Sequence, residues 1–379
     1  MKPSSGRTTT ESVMAIYNEE QLLEVSKHFQ IYGQILHAEP CKIGHINETY
    51  TATYDQAGVK VRYIHQKINQ GVFKNPDAVM DNIMRVTGHI REKLTGQPEL
   101  TRRVLTVVPT RDGRSYHRNG AGDVWRSFFF IEQTQTFEAV QTTEQATEAG
   151  KAFGRFQQLV SDLPGRLVDT IPDFHHTRKR FLALQKAIQS DHCNRAKQAQ
   201  AEIAFALSHE NIVDVLLNAQ ARGEIPERVT HNDTKFNNVM LDTQSGEAMC
   251  VVDLDTVMPG LALYDFGDMV RTTTSPTMED ERDLSKVRME LPMFEALARG
   301  YWSQAGAFLN LVEKGFLPFA GKLITFNIGI RFLTDYLDGD HYFRVHRPGH
   351  NLDRCRTQFK LIESIEQQES ILEKFVASL

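Results

Sequence analysis

The chain has 379 residues, of which 41% are hydrophobic and 24% are charged, as is usual for a soluble globular protein. Its formal charge of -5, without a long basic run, gives no indication of nucleic-acid binding, and four cysteines without a CxxC pair indicate neither a zinc site nor a disulfide framework. The N-terminus has no apolar signal segment, and no apolar run approaches the roughly 18 residues that span a membrane. The sequence therefore predicts a cytoplasmic protein without a membrane partner, whose first residues (about ten) form a disordered tail.

The N-terminal part of the chain mixes strand and helix patterns. Thr and Tyr residues followed by a polar turn that ends at Gly58, and then by alternating residues, predict a β-hairpin. Pro76 stands at the early helical position that proline favours. The predicted elements are a helix over residues 19–30, hairpin strands over 49–54 and 59–68, a helix over 76–94, and strands over 103–110 and 124–132.

Amphipathic helical patterns dominate after residue 134, and short strands around residues 229–255 interrupt them. The predicted helices cover residues 143–160, 177–189, 195–221, 291–307, 319–337 and 351–376. The sequence thus predicts an α+β fold, with a small β-sheet lobe over residues 1–135 and a larger helical lobe over residues 136–379.

Residues 231–238 read H-x-D-x-x-x-x-N, the spacing of a phosphoryl-transfer loop of the protein-kinase type. In that chemistry Asp233 accepts the proton of the attacking hydroxyl, and Asn238 offers a neutral oxygen ligand to Mg²⁺. The alternative for Asp233 is a loop carboxylate that caps the next turn. His231 is interpreted as a structural side chain that holds the loop, and Lys235 either reaches a phosphate or is solvated.

Asp253 follows the short apolar strand 250–252, which predicts that it bridges the metal and the phosphates of ATP. Asp255 would be a second ligand if strand geometry persisted, since alternate residues of a strand point to the same side; a surface carboxylate is the alternative. Residues 265–267 spell the D-F-G of protein kinases, but Asp253 already fills that role. Asp265 is therefore interpreted as a helix N-cap or a loop anchor.

The small lobe supplies candidates for binding the nucleotide. Residues 44–50 lie between two predicted strands and either cover the ATP phosphates or form an ordinary hairpin turn. The third strand offers Lys67 as a cation and Gln66 on its opposite side. Residues 128–132 either form a hinge beside adenine or are plain core. The nucleotide-binding candidates are Gly44, His45, Asn47, Gln66, Lys67, Phe130 and Glu132.

With these residues the chain resembles the aminoglycoside phosphotransferase/choline kinase superfamily, and within it the N-acetylhexosamine 1-kinases. The resemblance covers nearly the whole chain, and residues 253–268 and 331–342 are its most specific parts. It implies a bilobal protein-kinase-like fold and a reaction in which ATP, with Mg²⁺, phosphorylates the anomeric hydroxyl of N-acetylglucosamine or N-acetylgalactosamine. It implies that Asp233 is the base and that Asn238 and Asp253 bind the metal. The family commonly lacks a lysine where Gln66 falls, which weakens the case for Lys67.

The resemblance places sugar recognition in the helical lobe, with Arg331, Asp335, Tyr336 and either His175 or His176 as candidates. Arg331 and Asp335, one helical turn apart, are alternatively an ion pair. Other hypotheses change the substrate to choline, homoserine or an aminoglycoside, or replace catalysis by a pseudokinase. A polycationic substrate would need a pocket rich in carboxylates, and acidic clusters are sparse near Arg331. The sequence leaves the preferred sugar epimer and the oligomeric state open.

Overall fold

The computed structural model describes residues 17–41 and 46–379, so the predicted disordered tail lies outside the described residues. The chain divides into two compact units. The smaller unit contains the chain up to Val72 and Val107–Phe130, and the larger unit contains Phe73–Thr106 and Ile131–Leu379. The predicted division at residue 135 differs from this one mainly in residues 73–106, which belong with the larger unit.

An antiparallel sheet forms most of the smaller unit. Its strands are β1 (Gln34–Pro40), β2 (Glu48–Gln56), β3 (Val59–Lys67), β4 (Val107–Val108), β5 (His117–Arg118) and β6 (Val124–Phe129), and helix α1 (Glu19–Ser26) precedes them. The spatial order is β1-β2-β3-β6-β4, and β5 also pairs with β6. The predicted hairpin is confirmed, because every residue of β2 has a partner in β3. Buried side chains of α1 and the sheet, among them Leu22, Tyr50 and Trp125, form one core.

Between β3 and β4, residues 73–106 are mostly helical and belong to the larger unit. The helix predicted over residues 76–94 is confirmed as α2 (Pro76–Lys93), which Asn75 caps by accepting from the backbone N–H of Ala78. The strand predicted over residues 103–110 is reduced to β4, because the preceding residues form the short helix α3 (Leu100–Arg103).

Helices form most of the rest of the larger unit. They are α4 (Thr143–Val160), α5 (Thr177–Ser190), α6 (Gln200–Ser208), α7 (Val215–Ala221), α8 (Ala262–Thr273), α9 (Leu291–Ala305), α10 (Leu311–Asp338) and α11 (His350–Ser378). The single helix predicted over residues 195–221 is wrong, because His209 leaves helical geometry (φ -98°, ψ 14°) and separates α6 from α7. Helix α10 begins eight residues before the prediction, where Asn310 and Glu313 form a capping box.

Within residues 17–41 and 46–379, α10 is the one helix whose length and composition would allow it to cross a membrane, and 83% of its apolar window is buried inside the protein. Such burial is typical of the central helix of a folded domain. Lys322 and Arg331 interrupt the apolar sequence of α10. The absence of a membrane partner and the cytoplasmic location stay predictions.

Short strands of the larger unit hold the loops that carry the predicted site. These strands are β7 (Thr134–Gln135), β8 (Arg228–Thr230), β9 (Val239–Asp242), β10 (Ala248–Val251) and β11 (Met258–Gly260). Strand β8 pairs with β11, and β9 pairs with both β10 and β7. Residues 231–238 therefore connect β8 with β9, and residues 252–257 connect β10 with β11. Helix α8 packs so closely on α10 that a Cβ on Gly267 would lie 2.3 Å from the carbonyl oxygen of Ala320.

Candidate active site

Asp233 lies in the loop between β8 and β9, with 24% of its side chain exposed. Lys235 Nζ is 3.0 Å from Asp233 Oδ1, and Asn238 Nδ2 donates to the carbonyl oxygen of Asp233 (2.9 Å) and to its Oδ2 (3.4 Å). Burial alone would raise the pKa of Asp233, but the charge of Lys235 and its hydrogen bond outweigh burial and hold that pKa below its usual value. The structure therefore brings Asp233 and Asn238 together and keeps the carboxylate ionised. Lys235, not Asp233, occupies the cap position of the turn that follows.

His231 is completely buried and contacts backbone groups on two sides. Its Nε2 donates to the carbonyl oxygen of Val252 (3.0 Å), so its Nδ1 is the acceptor for the backbone N–H of Asp233 (3.3 Å). Burial lowers the pKa of His231, which keeps the ring neutral. These contacts join the Asp233 loop to the segment that carries Asp253, as expected of a structural histidine.

Asp265 holds the loop from helix α8. Its carboxylate accepts from the backbone N–H groups of His231 (2.8 Å) and Asn232 (2.7 Å) and from Nε2 of Gln157 (2.7 Å). Burial raises the pKa of Asp265 to about 7. Of the two interpretations of Asp265, the loop anchor is confirmed, and the N-cap is wrong because Leu261 holds that position.

Asp268, one turn along α8, anchors the residue after Asp233. Its Oδ2 accepts from the backbone N–H of Thr234 (3.0 Å), and its Oδ1 pairs with Arg271 (2.8 Å), whose guanidinium also contacts Glu279 (2.7 Å). Asp268 was not among the predicted site residues. The available signal was its helical spacing of three residues from Asp265.

Strand β10 ends at Val251, before either predicted metal aspartate. Asp253 is exposed and has a left-handed backbone (φ 59°, ψ 58°), whereas Asp255 lies in a 3-10 turn and is 1% exposed. The premise that strand geometry continues to Asp255 is therefore wrong, and so is the alternative of a surface carboxylate. The alternation of residues along a strand therefore no longer supports Asp255 as a metal ligand, and that role stays a prediction.

The predicted metal ligands Asn238 and Asp253 come from neighbouring segments. The backbone N–H of Val252 donates to the carbonyl oxygen of Asn238 (2.9 Å), which places Asn238 beside the residue that precedes Asp253. An amide oxygen and a carboxylate are ligands that Mg²⁺ takes, usually together with water and substrate phosphates. Residues 17–41 and 46–379 contain no group of three or more His, Cys, Asp or Glu side chains suited to a metal. Asn238 and Asp253 thus fit a cation that substrate phosphates also bind, and not a site in which protein side chains supply all the ligands.

His175 precedes α5 and is 4% exposed. Its Nε2 donates to the carbonyl oxygen of Asn232 (3.1 Å), the residue before Asp233. Its Nδ1 is buried and has no hydrogen-bond partner among the described residues. Burial lowers the pKa of His175 to about 4, so the ring is neutral near pH 7. The structure therefore brings His175 to the Asp233 loop.

Arg331 of α10 is 9% exposed and lies among aromatic side chains. Its guanidinium carbon is 5.0 Å from the ring centre of Phe174 and 5.5 Å from those of Tyr342 and Phe343, distances at which cation–π attraction acts. Its Nη2 donates to the Tyr342 hydroxyl (3.2 Å), and its charge contributes to the lowered pKa of His175. Phe174 and Tyr342 were not among the predicted site residues, although Phe174 adjoins His175 and Tyr342 ends the specific block 331–342.

Asp335 anchors a loop and forms no ion pair with Arg331 in the described part of the chain. Its carboxylate accepts from Nδ2 of Asn351 (2.8 Å) and from three successive backbone N–H groups, those of His341 (2.9 Å), Tyr342 (2.8 Å) and Phe343 (2.9 Å). The ion-pair alternative is therefore wrong. Asp335 holds the segment that carries Tyr342, and direct contact of Asp335 with substrate stays a prediction.

Tyr336 points away from Arg331. Its hydroxyl donates to Oε1 of Gln198 (3.0 Å), and its ring centre lies 4.9 Å from the guanidinium carbon of Arg195. Burial raises the pKa of Tyr336. The structure does not bring Tyr336 to the Asp233 loop, and its contact with substrate stays a prediction without support from these contacts.

Gln66 and Lys67 have different partners within the smaller unit. Gln66 Oε1 accepts from Nε of the buried Arg126 (3.0 Å). Lys67 Nζ lies 3.1 Å from Glu48 and 3.4 Å from Asp123. Burial alone would lower the pKa of Lys67, but these carboxylates outweigh it and raise the pKa. Because two carboxylates already compensate the charge of Lys67, these contacts do not support the prediction that Lys67 binds the ATP phosphates.

The turn before β2 is partly described. Asn47 Oδ1 accepts from the backbone N–H of Asn69 (3.0 Å), so Asn47 joins this turn to the end of β3. Gly44 and His45 lie outside the described residues. The nucleotide role of these three residues stays a prediction.

The two hinge candidates belong to different compact units. In the smaller unit, the guanidinium carbon of Arg62 lies 3.7 Å from the ring centre of Phe130. In the larger unit, the carbonyl oxygen of Glu132 accepts from Nε of Arg102 (3.1 Å). Contact of Phe130 or Glu132 with adenine stays a prediction.

Known proteins match both the sequence and the fold. The model of the phosphotransferase enzyme family matches residues 37–297. An aminoglycoside phosphotransferase from Alicyclobacillus acidocaldarius is 12% identical over 94% of this chain and 96% of that one, with a TM-score of 0.59. A spectinomycin phosphotransferase solved with ADP and spectinomycin is 13% identical over 93% and 98% (TM-score 0.55), and a choline kinase from Cryptosporidium parvum is 11% identical over 95% and 98% (TM-score 0.56). These likenesses confirm the predicted α+β, protein-kinase-like fold.

Proposed function

Because this chain belongs to the phosphotransferase enzyme family, we propose that it transfers the γ-phosphate of ATP to the anomeric hydroxyl of N-acetylglucosamine or N-acetylgalactosamine. The chain is a small-molecule kinase of the aminoglycoside phosphotransferase/choline kinase superfamily, so phosphate transfer to an alcohol follows from the family. The identity of the sugar and the position of its reacting hydroxyl go beyond the family and are our proposal.

The observation that carries the choice of a sugar is the environment of Arg331. The charge of this buried guanidinium acts on His175, whose ring contacts the Asp233 loop, and it is unfavourable for a cationic substrate such as choline or an aminoglycoside. A neutral N-acetylated sugar offers hydroxyl and amide oxygens that can accept from the guanidinium. The exposed ring of Tyr342, which Asp335 holds in place through its backbone, offers an apolar face to a sugar ring.

In the proposed reaction, Asp233 orients the anomeric hydroxyl and takes its proton as the new O–P bond forms and the bond from the γ-phosphorus to ADP breaks. The lowered pKa of Asp233 keeps its carboxylate ionised and able to accept that proton. The carboxylates of Asp265 and Asp268 accept from the backbone N–H groups of Asn232 and Thr234 and so hold the backbone on both sides of it. Asn238 and Asp253 would hold Mg²⁺, which when bound with ATP neutralises phosphate charge.

Choline, homoserine or an aminoglycoside remains the alternative substrate class, because the structural neighbours include a choline kinase and aminoglycoside phosphotransferases. A pseudokinase without turnover is disfavoured by the presence of Asp233, Asn238 and Asp253 together.

The proposal is tested by following ADP release from ATP and Mg²⁺ with a panel of free hexosamines, choline, homoserine and aminoglycosides. We expect turnover with N-acetylglucosamine or N-acetylgalactosamine, and none with the methyl glycoside of the same sugar, in which the anomeric oxygen is blocked. Turnover with choline and with no hexosamine would exclude the sugar, and phosphorylation of the glycoside would exclude position 1.

A further inference from the structure

We propose that Asn82 of α2, together with Thr170, is a positioning residue that fixes the turn of residues 253–257 and thereby the orientation of Asp253. The proposal rests on the proposed function in one respect, because it takes Asp253 as a ligand of the metal that accompanies ATP. Neither Asn82 nor Thr170 touches the reacting groups, so their effect would pass through the turn.

Asn82 is completely buried, and its side chain makes three hydrogen bonds to backbone. Its Nδ2 donates to the carbonyl oxygens of Val168 (2.8 Å) and Val257 (2.9 Å), and its Oδ1 accepts from the backbone N–H of Val168 (3.1 Å). An amide whose donors and acceptor are all used in the interior has one orientation, because any rotation would leave buried polar groups unpaired. Asn82 therefore ties α2 both to the segment at Val168 and to the end of the turn.

Thr170 ties the same segment to the middle of the turn. Its Oγ1 donates to the carbonyl oxygen of Asp255 (3.0 Å), and the residue is 9% exposed. The backbone N–H of Val257 donates to the carbonyl oxygen of Leu254 (3.1 Å), which closes the turn on itself. The carbonyl oxygens of Asp255 and Val257 thus accept from Thr170 and Asn82 respectively.

The turn needs such support because of its backbone conformation. Strand pairing ends at Val251, and Asp253 has a left-handed φ of 59°, which a residue with a Cβ adopts at a cost unless its surroundings hold it there. On its other side the turn is tied to the Asp233 loop, where Thr256 Oγ1 donates to the carbonyl oxygen of His231 (2.7 Å) and Asn232 Nδ2 donates to that of Thr256 (2.9 Å). The hydrogen bonds from Asn82 and Thr170 to the turn, called the clamp below, therefore complete the set of contacts that fixes Asp253 relative to Asp233.

Two variants remove the clamp without changing side-chain shape. Asn82→Asp replaces the donor nitrogen by an oxygen that faces two carbonyl oxygens, and Thr170→Val removes the hydroxyl. Thr170→Ser restores the hydroxyl and is the matched rescue. Arg85→Met is the control on the same helix, because Arg85 donates to the carbonyl oxygens of residues 164–166 and lies near the carboxylate of Asp81, and none of these partners belongs to the turn.

The first readout is the Mg²⁺ concentration that gives half-maximal turnover at saturating ATP and acceptor. We expect it to rise about tenfold in Asn82→Asp and Thr170→Val, because loss of a residue that orients a metal ligand typically lowers metal affinity about 10–100-fold. It should stay near the wild-type value in Thr170→Ser and Arg85→Met. The KM for the acceptor should not change, because the clamp contacts neither Arg331 nor His175.

The second readout is hydrogen exchange of the peptide that spans residues 252–257, measured without nucleotide or metal. We expect faster exchange in Asn82→Asp and Thr170→Val and wild-type exchange in the two controls. Unchanged hydrogen exchange and unchanged Mg²⁺ dependence in folded variants would overturn the proposal. If Asn82→Asp does not fold, the comparison of Thr170→Val with Thr170→Ser provides the same test. If the wild-type protein turns over no acceptor at all, the proposed function fails. The role of Asn82 and Thr170 is then tested by hydrogen exchange of residues 252–257 alone.

Discussion

The two aspartates that compete for the role of the metal ligand should respond in opposite ways to replacement by asparagine. Asp265 carries the D-F-G signature but is buried against the backbone of the Asp233 loop, whereas Asp253 is exposed and lies two residues beyond a strand end. We predict that Asp265→Asn lowers stability and that Asp253→Asn abolishes metal-dependent turnover without lowering stability.

The magnitude follows from the three donors around Asp265. At pH 8 the carboxylate is ionised, and Oδ2 accepts from His231 N–H and Gln157 Nε2 while Oδ1 accepts from Asn232 N–H. In Asp265→Asn the oxygen keeps the Oδ2 position, and the new amide nitrogen meets the N–H of Asn232. One buried N–H loses its acceptor, which costs about 1–3 kcal/mol of unfolding free energy. The shifted peptide before Asp233 should also lower kcat by about 10–100-fold.

Asp253→Asn should leave the thermal midpoint nearly unchanged, because exposed substitutions change stability by about 0.5 kcal/mol or less and asparagine adopts the left-handed conformation readily. The assay is thermal unfolding at pH 8 together with ADP release over a Mg²⁺ titration. A stable Asp265→Asn that needs more Mg²⁺, beside an active Asp253→Asn, would refute the assignment of the two residues.

Three further predictions concern the same loop and its neighbours. Asp233→Asn should lower kcat by at least about 10²-fold with a wild-type thermal midpoint, and near-normal ADP release by this variant would remove Asp233 from its role as the base. Arg331→Lys should raise the KM for the sugar about tenfold with a smaller change in kcat, since lysine cannot reproduce the planar contacts with Phe174 and Tyr342. An unchanged KM would show that the sugar binds elsewhere. Because the pKa of His175 falls from 6.5 in the unfolded chain to about 4, unfolding takes up a proton between these values, so the thermal midpoint should fall as the pH drops from about 6.5 to 4. His175→Gln should reduce that fall, and an equal fall in both proteins would show that His175 does not contribute.

Local sequence signals predict many of the elements and bring together the residues at the centre of the candidate site. Helix α4 was predicted with its observed bounds because its apolar periodicity coincides with a Thr142 cap. Asp233 and Asn238 were found by spacing alone, since five residues of one loop determine their proximity. The helix over residues 195–221 failed because the break at His209 interrupts an apolar pattern that otherwise continues.

Partners distant in sequence explain what could not be predicted. Lys67 had the charge for a phosphate, but Asp123, which precedes strand β6, lies 3.4 Å from it. Asp335 and Arg331 have ion-pair spacing, yet the backbone that folds back at residues 341–343 takes the carboxylate. The support of the 253–257 turn by Asn82 depends on a contact over 175 residues of chain, which no local pattern indicates.

The central claim is that this kinase phosphorylates the anomeric oxygen of an N-acetylhexosamine. Its most direct test is a two-dimensional proton–phosphorus correlation spectrum of the product formed from the sugar, ATP and Mg²⁺. We predict a correlation between the new phosphorus signal and the proton on carbon 1. A correlation to the protons of another carbon, or phosphorylated choline in place of any sugar phosphate, would contradict the proposed reaction.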